Sequence, residues 1–405
     1  MNNHVRPPGR ARFAGVFSGD YQTFLALFGI GLLVTAFFRL DWWREALFDG
    51  ARPAPVVLLG LLAVCCAFAW QSLLRRAFLW AEPAALTWLD FAGADRVRAI
   101  SGRLWLGWST RVLALGYLGT FLATVATFPP WAWLTGACLL AGSAVPALVL
   151  AARAPGTPWR SPRRLPVAAA AGRRRLVHTW AERLIRSVAV SFLDPMLMLP
   201  SARPIGGWSL RPPTLPRLAW LGVLGRARFL GSALLLALTA GLAHAALPAV
   251  PGVVLVGLGA FAALIPFGAG IGELWRSPGK LRWLDTSAGA LRLWFAVTLG
   301  GLAAVWGLVL AAVTLLLGAP LAGTAWLALP VATGSVLRTA ARPPVSYDDL
   351  GGTDLPFGQV PVRLVTQVTR GADLGVLGIL LLAGLPFGLA AVLITLALTA
   401  YGILR

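Results

Sequence analysis

Residues able to do chemistry are few in this chain, and the tightest group of them is the run Tyr347 to Asp354, which holds Asp348, Asp349 and Asp354. Three carboxylates so close together have the oxygen-rich character that holds a divalent cation and, through it, a phosphate, as in a membrane enzyme acting on a nucleotide sugar. Asp and Gly are also the residues of tight turns, where they bond to their own backbone. No second acidic cluster or basic phosphate clamp lies beside this one in sequence. The turn is therefore the reading adopted, with no metal and no cofactor expected. An integral membrane enzyme of lipid or glycan metabolism using these three aspartates is kept as one alternative, and a non-transporting membrane scaffold as another.

The other reactive residue types are scattered. Cys65 and Cys66 share one apolar run and Cys138 lies in another, without the paired spacing of disulfides or zinc ligands. His178 reads as a solvated residue. The lone lysine, Lys280, sits in Arg-Ser-Pro-Gly-Lys-Leu-Arg-Trp, which lacks the glycine loop of a P-loop, so the chain carries no P-loop of its own. No nucleophile elbow or zinc-protease helix appears either, and the chain is not read as an enzyme.

The elements that must position these residues are membrane spans. A chain of 405 residues that is 58% hydrophobic and 12% charged has too little polar surface for a soluble globule, so a polytopic membrane protein is implied. Its formal charge of +20 comes from arginines concentrated in loops, which the positive-inside rule explains without a nucleic-acid partner. Residues 153–228 hold fourteen arginines against two acids, Glu182 and Asp194, and are placed in the cytoplasm on that ground.

Apolar runs of about twenty residues are the length that crosses a bilayer as helix. The expected spans are Tyr21 to Phe38, Ala54 to Leu74, Leu104 to Phe128, Trp131 to Ala152, Phe229 to Leu247, Gly252 to Ile271, Leu293 to Leu317 and Leu321 to Leu337. The run Leu374 to Leu404 is too long for one upright span, and Gly384-Leu385-Pro386 can turn it into a hairpin. Trp42 and Trp43 suit an external interfacial loop. The fold expected is an all-α transmembrane bundle of nine or ten spans with cytoplasmic amphipathic helices and a cytoplasmic amino terminus. It divides into a first block, 1–152, with a cytoplasmic loop 75–103; an arginine-rich segment, 153–228; and a second block, 229–405. Arg111 is the clear charge within a span, close enough to its end to snorkel.

Two cytoplasmic segments read as short amphipathic helices. Pro83 suits the first turn of a helix running to Phe91, with Leu86, Leu89 and Phe91 as an apolar face that either enters a groove on a partner or rests on lipid. In Val177 to Asp194, the residues Val177, Trp180, Leu184, Val188 and Phe192 recur on one side, away from Glu182, Arg183 and Arg186. Such a basic amphipathic helix lies on the membrane surface or supports a partner subunit.

This order of features resembles the membrane subunit of an Ecs-type ABC transporter. The residues that carry the resemblance are Phe78-Leu79-Trp80-Ala81-Glu82 after the second span, then Glu182 and Arg183, and then Phe192-Leu193-Asp194-Pro195. It covers the first half of the chain better than the second. It implies the permease of an exporter in the plasma membrane, energised by a separate ATP-binding cassette subunit that supplies the missing P-loop. It also implies partner contacts at Glu82, Pro83, Leu86, Leu89 and Phe91, with Glu182, Arg183 and Asp194 on a second surface. The lipid bilayer and a second copy of the chain complete the expected partners.

Overall fold

Prolines and side-chain caps set the helix starts. The computed structural model describes residues 21–93, 95–191, 202–203, 205, 214–284, 286–342, 352–355 and 358–404. The first part comprises α1 (Tyr21–Phe38), α2 (Leu40–Phe48), α3 (Pro55–Leu74), α4 (Pro83–Phe91), α5 (Arg96–Val125), α6 (Pro130–Ala152), α7 (Pro166–Ala169) and α8 (Arg173–Ser191). Four of these, α3, α4, α6 and α7, carry proline in their first turn, where its missing N–H costs nothing and its fixed φ is already helical. Helix α5 is capped instead by Asp95, whose carboxylate accepts from the Arg98 N–H.

The second part comprises α9 (Leu215–Leu224), α10 (Leu230–Ala246), α11 (Gly252–Trp275), α12 (Pro278–Trp283), α13 (Ala288–Leu316), α14 (Gly323–Trp326) and α15 (Ala328–Ala340). These are followed by the antiparallel pair β1 (Gly352–Leu355) and β2 (Gly358–Pro361), and then by α16 (Val362–Thr369), α17 (Ala372–Gly384) and α18 (Leu389–Leu404). Helix α15 lies at the centre of this half, packed against α11, α13, α17 and α18. The α15–α18 crossing is close enough that a Cβ on Gly402 would stand 2.7 Å from the backbone carbonyl of Gly334. Small residues permit this approach between helix backbones.

Five described helices are long and apolar enough to cross a membrane: Pro55–Leu74, Pro130–Ala152, Ala227–Ala246, Gly252–Trp275 and Ala288–Leu316. They match expected spans two, four, five, six and seven, and α1 coincides with the first. Three expectations change. The third span begins within the loop 75–103, because α5 runs 30 residues from Arg96, about 45 Å, and so carries Arg96, Arg98 and Arg103 as well as Arg111. The eighth is broken at Leu327 into α14 and the 13-residue α15. Pro330 lies in the first turn of α15, where proline is tolerated. The Trp42-Trp43 loop is the helix α2, whose Phe48 is fully buried in a cluster with Leu58, Leu122 and Val125.

The final apolar run is interrupted between Gly384 and Leu389, around Pro386, and its two arms pack on each other and on α15. Between α15 and α17 stand the β1–β2 hairpin and α16. The two halves of the chain meet where α3 packs on α10. There Arg75 donates to Ser232 Oγ at 3.0 Å and lies over the Phe229 ring, while Ser232 donates to Gln71. Arg111 does not lie alone in its span: it donates to the Ala69 carbonyl at 3.1 Å and to Ser72 Oγ at 3.0 Å, tying α5 to the end of α3.

Candidate partner-docking surface

The segments 76–104 and 153–191 fold together into one cap at the end of the first helix block. The chain reverses after α3 at Arg76, a left-handed residue (φ 57°) whose guanidinium is held by the carbonyls of Leu150 and Arg153 at the end of α6. Leu79 and Leu86 then enter a cluster with Leu104, Leu165 and Leu176, all of them fully buried. Burying a leucine stabilises by about 1.5–3 kcal/mol, so five such residues fix the position of α4 without any help from its nine-residue length.

Polar ties close the cap. The Ala81 N–H donates to the Leu176 carbonyl at 3.2 Å, joining the segment before α4 directly to α8. Arg103 donates to the Trp80 carbonyl, and both Arg103 and Arg183 lie over the Trp80 ring, at 3.6 and 4.6 Å from its centroid. Arg173 donates to Asp90 at 3.1 Å and to Thr87 Oγ1 at 2.7 Å, and Arg96 approaches Asp90 at 3.6 Å. The buried Ser101 hydroxyl accepts from the Leu165 N–H and donates to the Val97 carbonyl. Trp80 is thus the point at which α4, α5 and α8 converge. The sequence carries it only as the middle of Phe78-Leu79-Trp80-Ala81-Glu82, without a contact role; an aromatic residue amid arginines is the signal for one.

The expected contact residues divide between the two faces of α4. Leu86 is fully buried in the chain's own core, so it is committed to internal packing, and Leu89 is half-buried beside it. Glu82 stands exposed at the N-cap and Pro83 opens the helix. Phe91 is 84% exposed, and Trp88, which the sequence did not nominate, is 74% exposed. Being three residues apart, Trp88 and Phe91 neighbour each other on the face opposite Leu86. They form a two-aromatic prominence on a firmly mounted helix.

On α8, Glu182 is exposed and lies 3.5 Å from His178 and 3.6 Å from Arg186. His178 therefore does have an acid one turn away, although both side chains remain mostly exposed. The apolar residues Leu184, Ile185 and Val188 are uncovered. Phe192 and Asp194 lie outside the described residues, as do Asp348 and Asp349. Asp354 sits in β1 opposite Gln359. Among the described residues no group of three metal-ligating side chains exists.

Asp95 ties the two segments of the cap to each other: Arg164 donates to its carboxylate at 2.6 Å. That hydrogen bond, aided by the Arg98 N–H, holds the Asp95 carboxyl below the usual range. A lowered folded value means that the contribution is present above the unfolded value and is lost as pH falls through the folded one. Asp95→Asn keeps a cap-forming oxygen and removes the ion pair, so it is expected to cost less than about 1 kcal/mol at neutral pH. The difference in thermal midpoint between wild type and variant should vanish in acid, and a difference that persists there would contradict this assignment.

Comparison with protein-family models, with curated proteins and with solved structures finds no match to this chain.

Proposed function

We propose that this chain is the membrane-spanning permease subunit of an ABC-type exporter, energised by a separate ATP-binding subunit that docks on the cap. The observation that carries the reading is the Trp88–Phe91 pair, exposed on a helix whose other face is buried. Aromatic residues held rigidly in the open are what an interface centre uses, because they bring large area at low entropic cost. The absence of a P-loop from the sequence supports an external source of energy. The arginine-rich interval supports a cytoplasmic cap and amino terminus in the plasma membrane, with nine or ten crossings.

The docking residues in this reading are Trp88 and Phe91, flanked by Glu82, Pro83 and Leu89, with the exposed side of α8 around Glu182 as the second surface. Leu86 and Arg183 act from behind, by holding α4 and Trp80 in place. Purification of the tagged chain from its host should bring down a P-loop ATPase, identified by mass spectrometry. The double substitution Trp88→Glu and Phe91→Glu should remove it, since each anchor is worth about 2 kcal/mol or more, while the amount of inserted protein stays the same. A wild-type chain that brings down no P-loop ATPase, or a double variant that retains one, would sink the proposal.

A further inference from the structure

The second helix block holds two cavities that follow one another along the same helices. The first, of about 100 Å³, lies between α11, α15 and α17 and is lined by Gly257, Phe261, Ala328, Ala332, Gly375 and Ile379. Its lips, Leu258 and Val376, are 54% and 53% exposed, so it opens on the apolar perimeter of the bundle. The second, of about 230 Å³, is lined by His244, Gly252, Val253, Thr324, Ala325 and Ala383. Val253 stands one turn before Gly257 on α11, Ala325 one turn before Ala328, and Ala383 one turn after Ile379 on α17, so the second cavity continues the first towards the helix ends. These ends lie away from the cap, since Ala246, two residues after His244, packs with Leu58 and Val125.

Polar side chains enter only at the second cavity, and no residue lining either one carries a fixed charge. The His244 ring borders Gly252, its Cε1 standing 3.5 Å from the place of a Cβ there. Its Nδ1 is buried without a partner, whereas Nε2 is neither closed off nor bonded to another described residue. A proton on Nδ1 would be a buried N–H without an acceptor, so it belongs on Nε2, which becomes an open donor in the cavity wall. The hydroxyl of the half-buried Thr324 is likewise open and unengaged among the described residues. A donor and a hydroxyl thus stand at the head of an apolar slot.

We propose that the two cavities together bind an uncharged single-chain amphiphile, a monoacylglycerol in chemistry, with its hydrocarbon chain in the first and its ester and hydroxyl head beside His244 and Thr324. The chain matches a slot that has no polar lining and opens sideways on the apolar perimeter, where burial removes apolar surface from water. The ester carbonyl accepts from His244 Nε2, and a glycerol hydroxyl pairs with Thr324. A phosphate or carboxylate head would bury its charge without a fixed counter-charge in the lining. The site needs no partner chain and stands apart from the docking surface.

The test uses the full-length protein in bilayers that contain a trace of monoacylglycerol with a photoreactive group in its acyl chain, followed by peptide mapping. Labelling should fall on residues 257–261 and 372–379 and be displaced by unlabelled monoacylglycerol. His244→Phe and Thr324→Val should each lower it about fivefold, the effect of one hydrogen bond. His244→Gln, whose amide nitrogen takes the place of Nε2, should stay near wild type. The thermal midpoint of His244→Phe should not fall, because the variant keeps a ring there and removes the buried unpaired Nδ1, so its loss of labelling is not misfolding. Val376→Trp, on the open lip, should block entry and abolish labelling. Absent or undisplaceable labelling, equal labelling by a fatty acid or a phosphatidylcholine with the same photoreactive chain, or a wild-type level in His244→Phe and Thr324→Val would each overturn the proposal.

Discussion

Leu86→Asp is expected to unfold the cap, whereas Trp88→Asp, two residues away, should leave it standing. Leu86 is fully buried among Leu79, Leu104, Leu165 and Leu176. Removing a buried leucine costs about 2–5 kcal/mol, and a carboxylate placed there must be desolvated or protonated in addition. A total above about 4 kcal/mol is a large part of the stability of an ordinary domain. Trp88 is 74% exposed, and a surface change of that kind usually falls within about 0.5 kcal/mol. Limited proteolysis of detergent-solubilised protein reads the difference, through cleavage within 76–104 and 153–191. Cap resistance retained in Leu86→Asp would mean that α4 is held by something other than its buried face.

Glu273→Gln should destabilise the second helix block more than Arg226→Met does. Arg226 is 1% exposed, donates to the Gly222 carbonyl at 2.8 Å and is paired with Glu273. Burial pushes the guanidinium below its ordinary range and Glu273 works against that shift. Withdrawing the carboxylate takes the Glu273 counter-charge from a buried cation, for which about 3 kcal/mol is the low end of measured costs. The low end applies because the Glu273 side chain is itself 40% exposed. Arg226→Met replaces the charge by an apolar chain of similar length and leaves a carboxylate that reaches water. Thermal unfolding of the two variants in the same detergent gives the order, and equal losses would remove the asymmetry argued here.

Local signals in the sequence gave element positions well and tertiary choices poorly. Helix α4 begins at Pro83 because proline is preorganised for a first turn, and that needs no partner. Which face it buries depends on Leu165 and Leu176, which arrive from some eighty residues further along. Nine residues of mixed apolar character do not settle that by themselves, so Leu86 was grouped with Phe91 although they point opposite ways. The break before α15 was legible in Pro330 but was hidden by an unbroken apolar run. The early start of α5 had its signal in Asp95, a capping residue ahead of a helical pattern. The Arg226–Glu273 pair joins residues 47 apart, and its one clue was an acid at the very end of a span. The turn at Asp348 and Asp349 lies outside the described residues, as does Asp194.

The short helices around α15 carry a consequence for the surrounding membrane. Helix α17 has 13 residues and α18 has 16, roughly 20 and 24 Å of rise, against about 43 Å for the 29-residue α13. Leu377, Leu380, Leu393 and Leu396 of the short pair face outward. In the proposed topology, where α17 and α18 each cross the bilayer, a hydrocarbon layer about 30 Å thick overshoots that surface on one side of the molecule and is spanned in full on the other. Lipid beside the α17–α18 hairpin must therefore compress or tilt to keep its chains covered, at a fraction of a kcal/mol per Å of mismatch.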